Sequence, residues 1–469
     1  MPLPFFQNVL IVPKLLYVTI FMAICSLYPF IPLFLEDNLG LTPDRIGIFL
    51  GCSPFVEFFS SAAWSSLADR YLLHKRILTF CTAGGALFML ALPILGPSVG
   101  FPVLLGSFLV CACLMGAVMP LVDAYVLGVL ERIGNKAVYG QQRLFGTISC
   151  GLTGAIVGAL IDTFHGVEIS FFVYGVFISL FLILVSLIPA SEFSPAHFSA
   201  TKPSDQEQAD FVIFQTPILL DTDNSDELSF TVAESGDESD VLVQPRSTTT
   251  HNMSTPRFAT ALFTLLTRPS FILFLLVTFL MGFGRAAASS FLFMYLESLG
   301  ASRTLMGLTQ LSGVLLEIFC FRISDHLLRT IGYRRMIFAS QIALVIRASI
   351  YGWIGQALPP VASLVVEMLQ GLTYALFWSG GAHFVTEVAP LDLQAATIGV
   401  YTGFYMGIGG GLGGIVGGAI YSAWGAPVLY QCIALLAAVS LFLYSGEDAL
   451  TRCGWGWRYG RIVDEAEAR

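Results

Sequence analysis

Two glutamates, Glu57 and Glu317, lie in the middle of long apolar segments and are 260 residues apart. A carboxylate that is removed from water is easier to protonate than one at a surface. Ionisable side chains at membrane depth are costly and mark functional sites by default. Their type and position therefore predict a pair of groups that load and release protons. The alternative interpretation is a structural hydrogen bond within one part of the protein.

A cation and a polar stripe point to a binding surface for a small molecule. Arg285 lies in mid-segment, where a lone cation needs a counter-ion, either a carboxylate such as Glu317 or an anionic solute. A second segment carries four residues spaced three or four apart, and this spacing places them on one helix face: Glu367, Gln370, Tyr374 and Trp378. We interpret Arg285 and this face as solute-binding. The alternative is packing against a neighbouring helix with a few hydrogen bonds.

A second group of charges lies near the ends of three segments. Asp123 is late in the fourth segment and Arg143 early in the fifth, so the two side chains can pair at similar depth. Such a pair either latches a gate or only holds two helices together. His383 lies 260 residues after Asp123 and is either a satisfied interior histidine or a proton relay.

The elements that must position these residues are membrane helices. Hydrophobic residues make up 55% of the chain and charged residues only 12%, whereas soluble domains have about 25% charged residues. Segments of roughly 20 apolar residues can span a bilayer. Twelve are expected, at 13–35, 46–67, 77–97, 102–127, 139–161, 168–189, 270–296, 304–324, 335–356, 360–386, 396–422 and 427–446.

The chain contains a duplication, because several residues recur at one constant spacing. Gly40, Gly47 and Glu57 recur as Gly300, Gly307 and Glu317, and Gly151, Gly154 and Gly158 recur as Gly411, Gly414 and Gly418. Two similar halves are a plan that secondary transporters favour. Small residues four apart, as in Gly154/Gly158 and Gly410/Gly414/Gly418, predict close contacts for the fifth and eleventh helices.

A polar linker separates the halves. We expect an N-terminal six-helix half at 1–189, a disordered acidic linker at 190–268, a C-terminal half at 269–446 and a tail at 447–469. The net charge of −9 mostly reflects this linker. The nine cysteines show no metal-site spacing, so we expect reduced packing residues, no metal and no cofactor. With no phosphate-binding loop, an ion gradient is the expected energy source.

The basic residues predict the orientation. Short connections on the amino-terminal side hold Arg70, Lys75, Arg76, Arg132, Lys136, Arg329, Arg334 and Arg335, whereas those on the other side hold only Arg45 and Arg303. Basic loops face the cytoplasm. Both termini and the linker are therefore expected to be cytoplasmic. The protein itself is expected in the plasma membrane or an endomembrane.

These features resemble the major facilitator superfamily across nearly the whole chain outside the linker and tail. Its loop motif after the second helix corresponds to residues 64–70, with Asp69 and Arg70, and recurs after the eighth helix at Asp325. The resemblance implies that these three residues help to hold the cytoplasmic interface shut. Ser65 and Leu72 stand where the pattern has glycines.

Several further runs are similar to one branch of that superfamily, called major facilitator superfamily domain-containing protein 6. They are residues 26–32, 54–58, 120–124, 139–146 and 369–374. They are also similar to bacterial phenylpropionate, nucleoside and lactose proton symporters. The resemblance implies an all-α integral membrane protein, with twelve helices in two pseudo-symmetric bundles, that carries a small organic solute with protons. The branch spans several chemistries and does not fix the cargo.

Two classes of function remain open. The leading hypothesis is a secondary active transporter that works by alternating access. The alternative is a membrane receptor or scaffold on the same fold, whose acidic linker docks cytoplasmic partners. Deleting residues 195–260 separates them, since a transporter tolerates the deletion and a scaffold does not. No catalytic constellation is apparent in the sequence, so an enzyme is not expected.

Overall fold

A computed structural model of the chain describes residues 10–96, 99–133, 138–193, 266–389 and 393–452. Most of these residues are helical, as their apolar composition predicts. The helices are α1 (Ile11–Asp37), α2 (Pro43–Tyr71), α3 (His74–Leu95), α4 (Phe101–Arg132), α5 (Tyr139–Phe164), α6 (Ile169–Leu187), α7 (Pro269–Ser298), α8 (Arg303–Thr330), α9 (Gly332–Ala357), α10 (Pro360–Val388), α11 (394–424) and α12 (426–452).

The last two helices form one continuous helical stretch that is broken at a single residue. Gly425 has φ of 83°, a conformation that glycine adopts without steric cost. The chain turns there, so the stretch divides into two spans. The twelve expected spans are therefore present among the described residues. Most are longer than predicted, and α12 continues to Arg452, past the expected end at 446.

The duplication is visible in the backbone as well as in the sequence. Residues with a positive φ recur in pairs 260 positions apart, at Gly40 and Gly300, at Leu72 and Gly332, and at His165 and Gly425. Each of them lies between two helices or where a helix begins or ends. The two halves, α1–α6 and α7–α12, therefore place a positive φ at equivalent positions, even where leucine or histidine stands in place of glycine.

The two halves pack against each other at one end of the molecule. We call this end, where α2 and α8 begin and α5 and α11 end, the far end. The opposite end, where α6 ends and α7 begins, is the linker end. A Cβ atom added to Gly307 would lie 2.0 Å from the carbonyl oxygen of Gly154, and one on Gly47 would lie 2.6 Å from that of Gly414. The glycines predicted to allow close contact of α5 and α11 thus do so, against α8 and α2 respectively.

Polar groups reinforce the same contact. Asp162, near the end of α5, accepts hydrogen bonds from the backbone amides of Arg303 at 3.0 Å and Thr304 at 2.7 Å, so that one half caps a helix of the other. The Arg303 guanidinium also donates to Asp37 at 2.9 Å and to Glu297. A polar cavity of about 380 Å³ lies beside this cluster.

Two expectations from the sequence are corrected. Cys25 and Cys150 form a disulfide that joins α1 to α5, so not every cysteine is a reduced packing residue. The linker was expected to be disordered from residue 190, yet Ala190–Phe193 form a short 3₁₀ helix, in which Phe193 stacks on Tyr125 at 4.5 Å. The rest of the predicted linker, residues 194–265, lies outside the described residues, as do residues 453–469 of the tail and Lys136.

Candidate functional site

Arg285 lies midway along α7, among aromatic rings. Its guanidinium is 5.3 Å from the centre of the Tyr405 ring on α11 and 5.8 Å from that of Tyr374 on α10. Both distances suit cation–π attraction. The side chain is partly exposed and its Nε is a buried donor without a hydrogen-bond partner. Arg285 forms no ion pair with any carboxylate in the described part of the chain.

Trp378 and Tyr401 extend this aromatic cluster. The Trp378 ring lies 6.0 Å from Tyr374 and 5.4 Å from Tyr401, and both residues are largely buried. The cluster is held together by α7, α10 and α11 of one half. Rings of this kind give a flat, amphipathic wall, because tyrosine and tryptophan combine a large apolar area with one polar atom.

Glu317 faces this cluster from α8. The backbones of α8 and α10 are so close that a Cβ on Gly371 would lie 2.6 Å from the Glu317 amide nitrogen. The carboxylate interacts electrostatically with Arg285 but is not paired with it. It is partly exposed, and none of the described hydrogen bonds uses its oxygens. Arg285 and Glu317, predicted separately, are thus brought together.

Glu57 occupies the equivalent place in the other half, with different neighbours. It lies on α2 against α4, where its carbonyl oxygen would be 3.1 Å from a Cβ on Gly116, and its charge acts on Tyr28 and Cys111. The carboxylate is partly exposed and has no ion-pair partner among the described residues. The duplication therefore conserves the depth of the two glutamates but places a cation near only one of them.

The predicted pair of Asp123 and Arg143 is present. Arg143 Nη1 lies 3.3 Å from Asp123 Oδ2, and the Tyr17 hydroxyl donates to Asp123 Oδ1 at 2.6 Å. Arg143 also donates to the Tyr139 hydroxyl at 3.3 Å. The charge of Arg143 reaches Tyr374 in the opposite half. This network therefore joins α1, α4 and α5 and borders the interface with the aromatic cluster.

Glu367 and Gln370 form hydrogen bonds with α9. Arg347 on α9 donates to both Glu367 oxygens at 3.0 Å and to Gln370 Oε1 at 2.8 Å, while the Tyr351 hydroxyl donates to Glu367 at 2.9 Å. Arg347 is only 1% exposed and Glu367 only 4%. Both oxygens of Glu367 are thus buried and occupied by Arg347 and Tyr351, and its role in solute binding stays a prediction.

The predicted polar face of α10 is thus divided along its length. Glu367 and Trp378 share a helix face, but eleven residues at about 1.5 Å rise separate them by roughly 16 Å. One part of the face meets α9, and the other part meets α7 and α11. Periodicity predicts the face correctly but does not say which neighbour covers each turn.

The predicted gate residues at the linker end have varied surroundings. Asp69 is exposed and lies 2.8 Å from His74 Nε2, and Arg70 lies over the Tyr71 ring at 5.8 Å. His383 is exposed with its ring 5.8 Å from Tyr333, and it is not joined to Asp123. Asp325 is half-buried. These positions leave their role in a gate as a prediction.

The sequence offered Arg347 as a candidate, but it did not indicate the tyrosines that complete these networks. Tyr139 and Tyr351 stand four residues before Arg143 and four after Arg347, so helical spacing could have linked them. Tyr17 and Tyr405 reach their partners only through packing between distant helices. Sequence spacing carries no signal for those two contacts.

The chain matches the model of the family described as MFS_1 like over residues 10–432. It is 20% identical over 385 residues to the uncharacterized transporter YwbF of Bacillus subtilis strain 168, covering 82% of this chain and 80% of that one. The maltose permease of Geobacillus stearothermophilus is 26% identical over 148 residues, or 32% of this chain and 36% of that one.

Two solved structures have the same fold. The nucleoside transporter NupG superposes with a TM-score of 0.67 at 17% identity, covering 94% of this chain and 98% of that one. The human organic anion transporter MFSD10 gives a TM-score of 0.53 at 15% identity, covering 93% of this chain and 99% of that one. These similar proteins are transporters rather than enzymes. The chain belongs to the MFS_1 like family of the major facilitator superfamily and is a multi-pass membrane transporter of small solutes.

Proposed function

We propose that the protein is a secondary active transporter that moves a small organic solute together with protons by alternating access. The observation that carries this proposal is the pair Arg285 and Glu317, two charged groups at mid-membrane that are close to each other yet unpaired. Such groups are costly unless they serve a transported species. Relatives are named for nucleosides, organic anions and maltose, which supports a small organic solute without choosing one.

Glu317 is the leading proton carrier in this proposal, and Glu57 is the second candidate. Both are partly exposed, and neither has a hydrogen-bonded partner in the described residues that would fix its charge. Glu317 has the stronger claim because its charge is coupled to Arg285 beside the aromatic cluster. The described residues on which the charge of Glu57 acts, Tyr28 and Cys111, are neutral.

The proposal also includes an orientation. Arg70, Lys75, Arg329 and Arg335 lie at the linker end, which favours placing that end in the cytoplasm. The far end then faces outward, and its close helix contacts represent a sealed outer gate. An impermeant thiol reagent applied from outside should label a cysteine introduced at Ser422 and not one introduced at Arg329; the reverse pattern overturns the orientation.

The test is uptake of a panel of organic solutes into proteoliposomes with an inward proton gradient. Wild type should accumulate at least one solute, and Glu317→Gln should lose the gradient-driven part while it retains solute exchange. Glu57→Gln shows whether the second carboxylate is needed. Glu387→Gln, which removes an exposed glutamate at the end of α10, is the matched control. Full gradient-driven accumulation in both Glu57→Gln and Glu317→Gln would remove the proposed coupling.

A further inference from the structure

Cys25 and Cys150 form the one disulfide among the described residues, and it lies within two membrane-spanning helices. It joins α1 to α5 inside the first half of the molecule. Cys25 is almost fully buried, whereas Cys150 is partly exposed. Six other described cysteines are free. The proposed transport function uses neither sulfur of this pair, so the disulfide is a separate feature of the molecule.

The helix α1 is broken shortly after Cys25. Its α-helical part ends at Leu27, a 3₁₀ turn follows at Tyr28–Phe30, and the α-helix resumes at Ile31. Pro29 favours this break, because a helical residue at its position would donate to the Cys25 carbonyl oxygen and proline has no N–H to donate. Breaks of this kind are where helices bend. The disulfide therefore anchors α1 within one helical turn of a bending point.

The part of α1 before the break is fixed to its own half by packing alone. A Cβ atom added to Gly146 of α5 would lie 2.7 Å from the Phe21 ring. The Tyr17 ring lies 6.5 Å from that of Tyr139, also on α5, with the two rings edge to face. These contacts hold α1 beside α5 without a covalent bond. The disulfide adds a restraint at the point where the packing gives way to the break.

The part of α1 from the break onward belongs to the contact that closes the far end. The Phe30 ring lies 5.2 Å from that of Phe293 on α7, which is in the opposite half. Asp37, at the end of α1, accepts a hydrogen bond from Arg303 of α8 at 2.9 Å. Movement at the break therefore displaces residues that hold the two halves together.

We propose that Cys25 and Cys150 are a redox modification site that controls the opening of the far end. In the oxidised protein the disulfide holds α1 to α5 beside the break and restrains the far-end contact. In the reduced protein α1 is free to bend at residues 28–30. A cross-link excludes conformations in which the joined helices move apart, so breaking it increases their freedom of movement. The reduced protein therefore opens its far end more readily than the oxidised protein.

The reductant in this proposal is a small-molecule thiol. Its thiolate attacks Cys150 Sγ on the more exposed residue, and Cys25 leaves as a thiolate that takes up a proton. A second thiol attacks the reductant's sulfur in the mixed disulfide, so that Cys150 leaves and is protonated in turn. Two electrons and two protons reach the protein, and the two reductant molecules are joined as a disulfide. Gln310 of α8 donates to Cys150 Sγ at 3.3 Å, so its amide stabilises negative charge on that sulfur as it leaves.

Hydrogen–deuterium exchange measured by mass spectrometry tests the proposal without a solute or a proton gradient. The purified full chain is oxidised with glutathione disulfide, and a portion is then reduced with dithiothreitol. Alkylation of the unfolded chain gives the fraction that carries the bond between Cys25 and Cys150. Reduction should raise the exchange rate at residues 28–38 and 303–310 at least about threefold, and leave residues 335–347 of α9 unchanged. Equal rates in the two forms, or no disulfide after oxidation, overturn the proposal.

Variants show whether this cysteine pair carries the response to the reductant. Cys25→Ala cannot form the cross-link, so its exchange should match that of reduced wild type with or without dithiothreitol. Cys432→Ala, which removes a free and partly exposed cysteine of α12, is the matched control and should respond as wild type does. A response of Cys25→Ala equal to that of wild type would assign the effect to another group and overturn the proposal.

The design separates this inference from misfolding and from the proposed transport function. Because the oxidised and reduced forms of wild type are compared first, misfolding of a variant cannot decide the outcome. Proton-coupled uptake is measured in a different experiment and involves neither sulfur. A disulfide without effect on the far end would therefore leave the proposed function standing.

Discussion

The guanidinium of Arg347 donates to both oxygens of Glu367, whereas that of Arg285 lies over two tyrosine rings and pairs with no carboxylate among the described residues. At the level of single residues, one arginine is therefore fixed by a buried ion pair and the other is not. Burying an ion pair costs desolvation energy that good geometry repays, so removing one member leaves an uncompensated charge. Loss of Glu367 therefore leaves a buried, uncompensated charge on Arg347, whereas Arg285 has no carboxylate partner among the described residues to lose.

Glu367→Gln should destabilise the protein. Removing one member of a buried pair typically costs about 3–5 kcal/mol, and here the Arg347 charge would remain almost fully buried. The melting temperature of the purified protein should fall clearly below that of wild type. Solute affinity per folded molecule should be unchanged.

A double variant provides the control for that prediction. Arg347→Met with Glu367→Leu replaces both charges by apolar groups of similar size and should recover much of the stability, as replacement of buried pairs often does. A Glu367→Gln protein of normal stability that no longer binds solute would contradict this prediction and support the solute-binding role of Glu367.

Residue types and depth could be predicted from the sequence, but only some of the partners could. The pair of Asp123 and Arg143 was expected, because consecutive antiparallel helices bring their ends to one level. Arg347 and Glu367 are also on consecutive helices, yet Glu367 was assigned to the solute because it shares a face with Trp378. The choice between two faces of a neighbouring helix depends on tertiary packing, which periodicity does not contain.

At the scale of helices, glycines set how closely the two halves meet. Gly307 on α8 lies against Gly154 on α5, and Gly51 on α2 lies against Gly411 on α11. The three atoms nearest to an added Cβ on Gly307 are backbone atoms, and the nearest one on Gly51 is a backbone oxygen, so at these two positions the contact cannot adjust to a larger residue.

Gly307→Ala should push α5 and α8 apart at the far end. Its Cβ would lie 2.0 Å from a backbone oxygen, and overpacking of this kind costs about 1–3 kcal/mol. We expect a lower melting temperature and faster reaction of a cysteine introduced at Ser422 with a thiol reagent. Gly106→Ala, a helical glycine with nothing within 4 Å of the added Cβ, is the control and should not be destabilising. Equal stability of the two variants would contradict the close contact.

The spans and the glycine contacts were accessible to sequence analysis because length, apolarity and small-residue spacing report on them directly. The positive φ shared by Leu72 and Gly332, and by His165 and Gly425, was not, because the residue types differ. The duplication therefore preserves the sign of φ at positions where the residue identities differ. The disulfide of Cys25 and Cys150 likewise joins two helices whose adjacency the sequence does not state.

At the scale of the whole molecule, the far end joins two halves that must separate there for solute to enter from that side. At this end the Ser422 hydroxyl on α11 donates to Asp44 Oδ1 on α2 at 3.3 Å. Replacing both by cysteine and linking them by oxidation, or with a short bifunctional thiol reagent, should hold the far end closed and abolish net transport. Reduction of an oxidised link should restore transport.

Either cysteine alone, treated in the same way, provides the control for this cross-link and should transport normally. Solute binding from the linker end should survive in the cross-linked protein, because the aromatic cluster around Arg285 is built from helices of one half. Unchanged transport by a fully cross-linked protein would show that opening at the far end is not part of the cycle.

We propose that solute movement is tied to proton movement through Glu317. The most direct measurement is the pH inside proteoliposomes while a solute identified by the uptake panel flows inward down its own gradient, with no imposed proton gradient. We predict that wild type acidifies the interior as solute enters and that Glu317→Gln exchanges solute without acidification. Solute entry through wild type with no pH change, or equal acidification by both proteins, would contradict proton coupling through Glu317.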